Sequence, residues 1–214
     1  MTHRNHRQEG VFNFEDFNAI PKCIAGVGAI GGFICKAMSY MDIQNVHLYD
    51  FDDVEEHNLG TQGFMPSHLG YNKVKARLFE ASSYLSRDNQ WTGYEHRWQR
   101  GAASRHLVFL CVDSLRARRQ IYAELHPEAL IIDTRMMSLQ YQVYCVTPAH
   151  RARYEETLSD EGAAEGSCTT RSTLHAASMA ASIALTMAMH VVSHAPAPFL
   201  VENEMWAWEG GVAW

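Results

Sequence analysis

The sequence predicts an α/β fold, a Rossmann-like, mostly parallel sheet with helices on both faces and antiparallel strands at the C-terminal side. Three observations predict it. Short apolar runs alternate with segments of helical period. The first run ends in a glycine-rich turn, Gly26-Val27-Gly28-Ala29-Ile30-Gly31-Gly32. Leu107–Val112 is apolar at every position, the pattern of a strand covered on both faces.

The elements follow in order. Phe12, Phe14 and Phe17 suit a short helix within an N-terminal arm, residues 1–20. Cys23–Gly26 is a strand. Ile30–Met41 is a helix, because Ile30, Phe33, Ile34, Ala37 and Met41 share one face. Asn45–Asp50 is a second strand ending at an acid, and a polar loop carries Asp52, Asp53, Glu55 and Asn58. Lys73–Leu85 is a helix with Val74, Leu78, Ala81 and Leu85 inward. After Leu107–Val112 come a helix over Leu115–Leu125, a buried strand at Ala129–Asp133 and its neighbour at Tyr141–Val146. Residues 147–173 show little periodicity and are expected to form a long exposed loop with a functional role. His175–His190 returns to a helix, and Phe199–Trp208 supplies one or two closing strands. All of this suits one domain spanning residues 1–214.

The bulk composition narrows the function. Of the 214 residues, 47% are hydrophobic and 20% charged, enough for a sizeable core. A formal net charge of -6 argues against nucleic-acid binding, and no basic run suggests a membrane anchor. The apolar stretch near Ala176–Val192 carries Ser178, Ser182, Thr186 and His190 and reads as a buried helix. Met1–Gly10 has no apolar signal segment. The five cysteines include no Cys-x-x-Cys pair, which points to a reducing cytoplasm and no zinc knuckle.

Four ordered signals carry the chemistry. A strand, a glycine turn and a helix N-terminus form an anion cradle, with Gly26, Gly28 and Gly31 allowing the tight turn and close approach. A glycine turn without a ligand has the same pattern. Asp50 lies about 20 residues on, where a carboxylate accepts from ribose hydroxyls. Lys73 opens a helix facing the same rim and can neutralise phosphate oxygens as a point charge, although a lone lysine is commonly just solvated. Asp113 leaves a buried strand and can ligate Mg²⁺ or cap the next helix, and Arg118 one turn on can brace it. Asp50 alone also suits a dinucleotide oxidoreductase, whereas Lys73 and Asp113 point to a nucleoside triphosphate.

In sequence order, Gly26–Gly32, Asp50-x-Asp52-x-Val54-x-x-x-Asn58-Leu59, Gly70-x-x-Lys73 and Cys111-x-Asp113-x-x-x-x-Arg118 resemble the ubiquitin-activating enzyme superfamily, including ThiF, MoeB and HesA proteins. The resemblance covers roughly Pro21–Thr134. It implies an adenylating enzyme that uses ATP and Mg²⁺. Its partner would be a ubiquitin-like or sulfur-carrier protein with a C-terminal glycine. It also implies Asp50 on the ribose, Asn58, Gln62 and Lys73 on the phosphates, Asp113 on Mg²⁺, and a homodimer. One departure stands out: the family reads Asn-Leu-x-Arg-Gln, and Thr61 occupies the position of its phosphate-binding arginine. An N-terminal arginine of the family has two counterparts, Arg4 and Arg7, in what reads as a charged tail.

Gly166-Ser167-Cys168-Thr169-Thr170-Arg171 resembles the catalytic-cysteine segment of eukaryotic-type members. That implies a thioester on Cys168 and a downstream conjugating protein. Arg171 favours the thiolate and His175 is a candidate base. Cys23, Cys35, Cys111 and Cys145 lie in apolar patterns and read as inert. Three alternatives remain: sulfur-carrier adenylation without a thioester, a non-catalytic scaffold, and an NAD-dependent oxidoreductase.

Overall fold

A computed structural model describes residues 3–8, 10–89, 91–99, 107–159, 172–205 and 209–214. Its centre is an eight-stranded sheet in the order β3-β2-β1-β4-β5-β6-β7-β8. The strands are β1 (Lys22–Ala25), β2 (Val46–Tyr49), β3 (Thr92–Tyr94), β4 (Leu107–Leu110), β5 (Leu130–Met137), β6 (Gln140–Val146), β7 (Leu200–Glu204) and β8 (Glu209–Ala213). The first five run parallel and the last three antiparallel, as expected.

Alternating strand residues feed two cores. On one face Ile24, Leu48, Phe109 and Ile132 meet α1 (Phe14–Ala19), α2 (Ala29–Tyr40), α4 (Lys73–Ser82) and α7 (Leu174–Val192). On the other, Cys23, Val108, Leu110 and Ile131 meet α5 (Leu115–Glu124) and α6 (Arg151–Glu156). This is the period-2 alternation of a doubly covered sheet. By length and composition α7 is apolar enough to cross a membrane. Here it packs against α2, β5 and β6, and its alanines let the backbones come close.

Chain order turns at β1. From there β2 and β3 lie to one side and β4 and β5 to the other, so β1/β4 is the topological switch point, where such sheets open a crevice. The register aligns Ala25 with Tyr49 and with Leu110. Gly26, Asp50 and Cys111 therefore leave the sheet at one level, and Gly26 N–H donates to the Tyr49 carbonyl at 2.8 Å.

Three expectations need correction, and one element was not foreseen. The segment after Asp50 is not all loop, since Glu56–Gln62 forms α3. Its start is tied by Asn58 Oδ1, which accepts from the Glu55 N–H at 2.9 Å, and Leu59 packs beside Val54, Phe64 and Ala76. Thr92–Tyr94 adds an edge strand too short for its alternation to show. Residues 147–173 are not one open loop, because a 3₁₀ turn at Pro148–His150 leads into α6, which buries Tyr154, and the turn after it buries Leu158. The N-terminal tail is likewise ordered: His3–Gln8 is a 3₁₀ helix whose Arg4 donates to the Tyr84 carbonyl and lies 4.0 Å from Asp42. That contact is at the end of α2 remote from the glycine turn.

Candidate nucleotide-binding rim

The glycine turn is built by close approach. Gly26 has φ +89°, and a Cβ there would stand 2.7 Å from the Cys111 carbonyl oxygen. A Cβ on Gly31 would stand 1.9 Å from the carbonyl oxygen of Gly26, so only glycine lets α2 start this close to β1. No side chain caps α2. Its first-turn N–H groups, with their positive dipole end, face the rim as an anion site.

Asp50 locks the turn from the next strand. One carboxylate oxygen accepts from Val27 N–H at 2.9 Å and the other from Asp52 N–H at 3.0 Å. The residue is 8% exposed, and burial pushes its carboxyl up from the usual range, against the pull of those amides and of Lys73.

Lys73 is buried at the first position of α4. Asn72 caps that helix by accepting from Val74 N–H at 2.9 Å, and it donates to the Asp52 carbonyl at 3.0 Å. The Lys73 ammonium lies 3.1 Å from Asp52 Oδ2, whose side chain is 49% exposed. Its acid partner thus sits half in water and can be exchanged for another anion. Gln62 closes the cradle: its Oε1 is buried without a partner and would lie 3.1 Å from a Cβ on Gly28. Thr61 donates its hydroxyl to the His57 carbonyl at 3.1 Å and brings no charge.

Asp113 is exposed, and Ser114 is the α5 cap, accepting from Ala117 N–H at 3.2 Å. The chain leading to it is braced by Arg118, buried at 4% exposure. Arg118 donates to Asp133 and to the Val112 carbonyl, and to the Leu110 carbonyl at 3.3 Å. Asp133 in turn accepts from Arg135 Nε at 2.8 Å and from the Tyr154 hydroxyl at 3.0 Å.

The rim therefore brings together Gly26, Gly28, Gly31, Asp50, Asp52, Gln62 and Lys73. Asn58 is used locally, at the start of α3. Asp113 stands at the end of the neighbouring β4. Cys168 and Arg171 lie outside the described residues. The remaining cysteines are core thiols: burial pushes Cys35 and Cys145 up to about 12 and Cys111 to about 11, and raises Cys23 well above its ordinary value. Among the described residues no group of three or more His, Cys, Asp or Glu side chains could hold a metal. A magnesium ion shared with phosphates needs only one or two carboxylates, which Asp113 suits.

Beyond the rim β5 runs past the end of β4. A cavity of about 560 Å³ opens on the extended sheet, lined by Arg135, Gln142, Glu202, Glu204 and Gly211 among others. Sequence reading missed Arg77, an α4 arginine that turns under the glycine loop. An arginine within a charged helix carries no sequence mark of burial.

The sequence model of the ThiF family matches residues 10–208. Ubiquitin-like modifier-activating enzyme 5 of Rattus norvegicus is 27% identical over 127 residues, which covers 52% of this chain and 32% of the rat protein. The Xenopus laevis protein of the same name is 26% identical over the same share. The matched region thus spans about a third of the length of these curated relatives. Among solved structures, E. coli MccB with succinimide has a TM-score of 0.78 at 12% identity, covering 99% of this chain and 71% of that one. PaaA has a TM-score of 0.72 at 16% identity, covering 93% and 65%. At such identities the structural likeness bears on the fold.

Proposed function

The chain belongs to the ThiF family, and from that premise we propose that it is an adenylyltransferase that uses ATP to activate the C-terminal carboxylate of a ubiquitin-like or sulfur-carrier protein. Lys73 carries the proposal. It is a buried ammonium at the switch-point rim, held by one half-exposed acid that a phosphate can replace. The pyrophosphate of a nicotinamide dinucleotide is met by a glycine turn and helix N-terminus alone, so the added ammonium favours a triphosphate over the oxidoreductase alternative. MccB has been solved with ATP and with AMPCPP and MccA, which supports a nucleotide here.

In the proposed reaction Asp50 accepts from the ribose hydroxyls. The first-turn amides of α2 and the side-chain amides of Asn58 and Gln62 would donate to phosphate oxygens, and the Lys73 ammonium neutralises their charge. Asp113 would hold Mg²⁺, which supplies charge neutralisation to the phosphates when bound. A carboxylate oxygen of the carrier attacks the α-phosphorus, and the bond to the α–β bridging oxygen breaks. Pyrophosphate leaves with the electron pair, and an acyl adenylate remains. Such transfers need positioning and charge neutralisation more than covalent help. The extended β5–β8 face offers the carrier tail a polar approach to the rim. In a second step the Cys168 thiolate attacks the acyl carbonyl and AMP leaves, giving a thioester for a conjugating protein. We place the site in a homodimer, as the family resemblance implies.

The test is ATP–pyrophosphate exchange with purified carriers ending in glycine. Exchange that depends on the carrier's C-terminus is expected. Cys168→Ala should keep that exchange and lose a thiol-sensitive adduct on a gel. An adduct that persists in Cys168→Ala removes the thioester step. Thr61 favours one competing reading, a scaffold whose partner binds ATP. No nucleotide binding by the isolated chain with Mg²⁺, together with unchanged function in Asp113→Ala, would establish the scaffold.

A further inference from the structure

Arg77 lies four residues after Lys73 on α4, yet its side chain runs beneath the glycine loop and is 2% exposed. Nε donates to the Val27 carbonyl at 3.3 Å. One terminal nitrogen donates to the Gly28 carbonyl at 3.3 Å and to the Gln62 carbonyl at 2.6 Å. The other pairs with Glu80 Oε2 at 2.8 Å. The guanidinium lies 3.7 Å from the centroid of the Phe64 ring. A Cβ on Gly32 would stand 2.2 Å from one of its nitrogens, so α2 is bare at the point where the guanidinium enters.

These contacts have a directional consequence. In a planar trans peptide the carbonyl of one residue and the N–H of the next point opposite ways. Drawing the Val27 and Gly28 carbonyls onto Arg77 therefore aims the N–H groups of Gly28 and Ala29 away from it, on the anion-receiving side. The same guanidinium ties the loop to the end of α3, one residue after Thr61. A planar fork with five donors can do this, whereas a lysine offers only a point charge.

Resting on the nucleotide reading of this rim, we propose that Arg77 is a positioning residue. It presets the glycine loop to receive phosphate, and it supplies from α4 the positive charge that Thr61 does not supply from α3. Glu80 draws off part of that charge and leaves the carbonyl contacts intact.

Two measurements test this. In nucleotide-free protein, Arg77→Met should speed amide hydrogen exchange at Val27 and Gly32, whose N–H groups bond to Asp50 and to the Gly28 carbonyl. Protection in β4 and β5 should not change. MgATP affinity by calorimetric titration should fall about tenfold or more, and KM for ATP in pyrophosphate exchange should rise more than kcat falls. Arg77→Lys should recover part of the affinity without the amide protection. Thr61→Arg added to Arg77→Met should do the same, separating charge from positioning. Unchanged amide exchange together with unchanged affinity in Arg77→Met overturns the inference. If the wild-type chain binds no MgATP, the nucleotide reading fails, and the exchange rates at Val27 and Gly32 alone decide the positioning role. If Arg77→Met does not fold, Arg77→Lys decides it, because lost amide protection is still expected there and retained protection overturns the inference.

Discussion

The two ends of β1 each bury a charge, and they differ in what surrounds it. At the start of the strand Lys22 is fully buried. Its ammonium donates to the Gln44 carbonyl at 2.8 Å and the Asn18 carbonyl at 3.4 Å and lies 4.9 Å from the Phe17 ring centroid. Burial pulls its pKa down to about 7. At the other end Asp50 binds two backbone amides, and burial pushes its carboxyl up. Desolvation disfavours both charges. Around Lys22 the partners are carbonyls of its own fold. Around Asp50 lie an uncapped helix N-terminus, an unpartnered Gln62 Oε1 and a lysine shared with a half-exposed acid. A buried charge by itself marks only a cost. A deficit of partners converging on one point marks a site.

The sharpest way to break this contrast is to remove charges from the rim. Lys73→Ala or Asp113→Ala should cut ATP–pyrophosphate exchange by about 100-fold or more. Asp113 is exposed, so Asp113→Ala should leave the urea midpoint almost unmoved, within about 0.5 kcal/mol. Retained exchange in both variants would mean that the rim is not the reaction centre. Next in size is Gly31→Ala, which drives a methyl group into the Gly26 carbonyl. A loss of roughly 2–4 kcal/mol in urea unfolding is expected, with nucleotide binding lost as well. A small loss would show that α2 can retreat from β1.

The smallest effect on the reaction belongs to the far end. Lys22 has a folded pKa near 7 and an ordinary unfolded value near 10.4. Between those values the unfolded chain holds a proton that the folded chain has released. Stability therefore rises with pH across that window, by at most about 1.4 kcal/mol per pH unit from this group. Below about pH 7 both states hold the proton and the whole burial penalty stands. The stability of Lys22→Met relative to wild type should accordingly fall as pH rises from 7 to 10, while pyrophosphate exchange stays unchanged. A pH-independent difference would show that the ammonium is not desolvated.

Legibility followed the range of the interactions. Gly26, Asp50 and Asp113 were readable because each sits at the end of an apolar run, and parallel strands bring such ends to one level. Lys73 was readable from its place at a helix start in the same series. Glu56–Gln62 was not, because glycine, threonine and only one apolar side chain give a helix no periodic stripe. Tyr154 was missed because a helix of six residues is too short to show a period. The Arg118–Asp133–Arg135 cluster was only half visible: a brace at Arg118 was expected, and its partners come from a different strand.

By itself the sequence determined the fold class, the parallel-to-antiparallel change and the order of the rim residues. These rest on hydrophobic period and on turn chemistry, which act over a few neighbouring residues. Only the tertiary structure decided which charges are spent inside the protein and which are left for a ligand. Lys22 and Lys73 are the same residue type, each at the start of an element. One is closed in by carbonyls of its own fold and the other meets an acid that water reaches. Arg77 looks like a surface arginine until the bare Gly32 lets it under the loop. Such outcomes depend on packing between segments far apart in the chain, and local pattern carries no record of it.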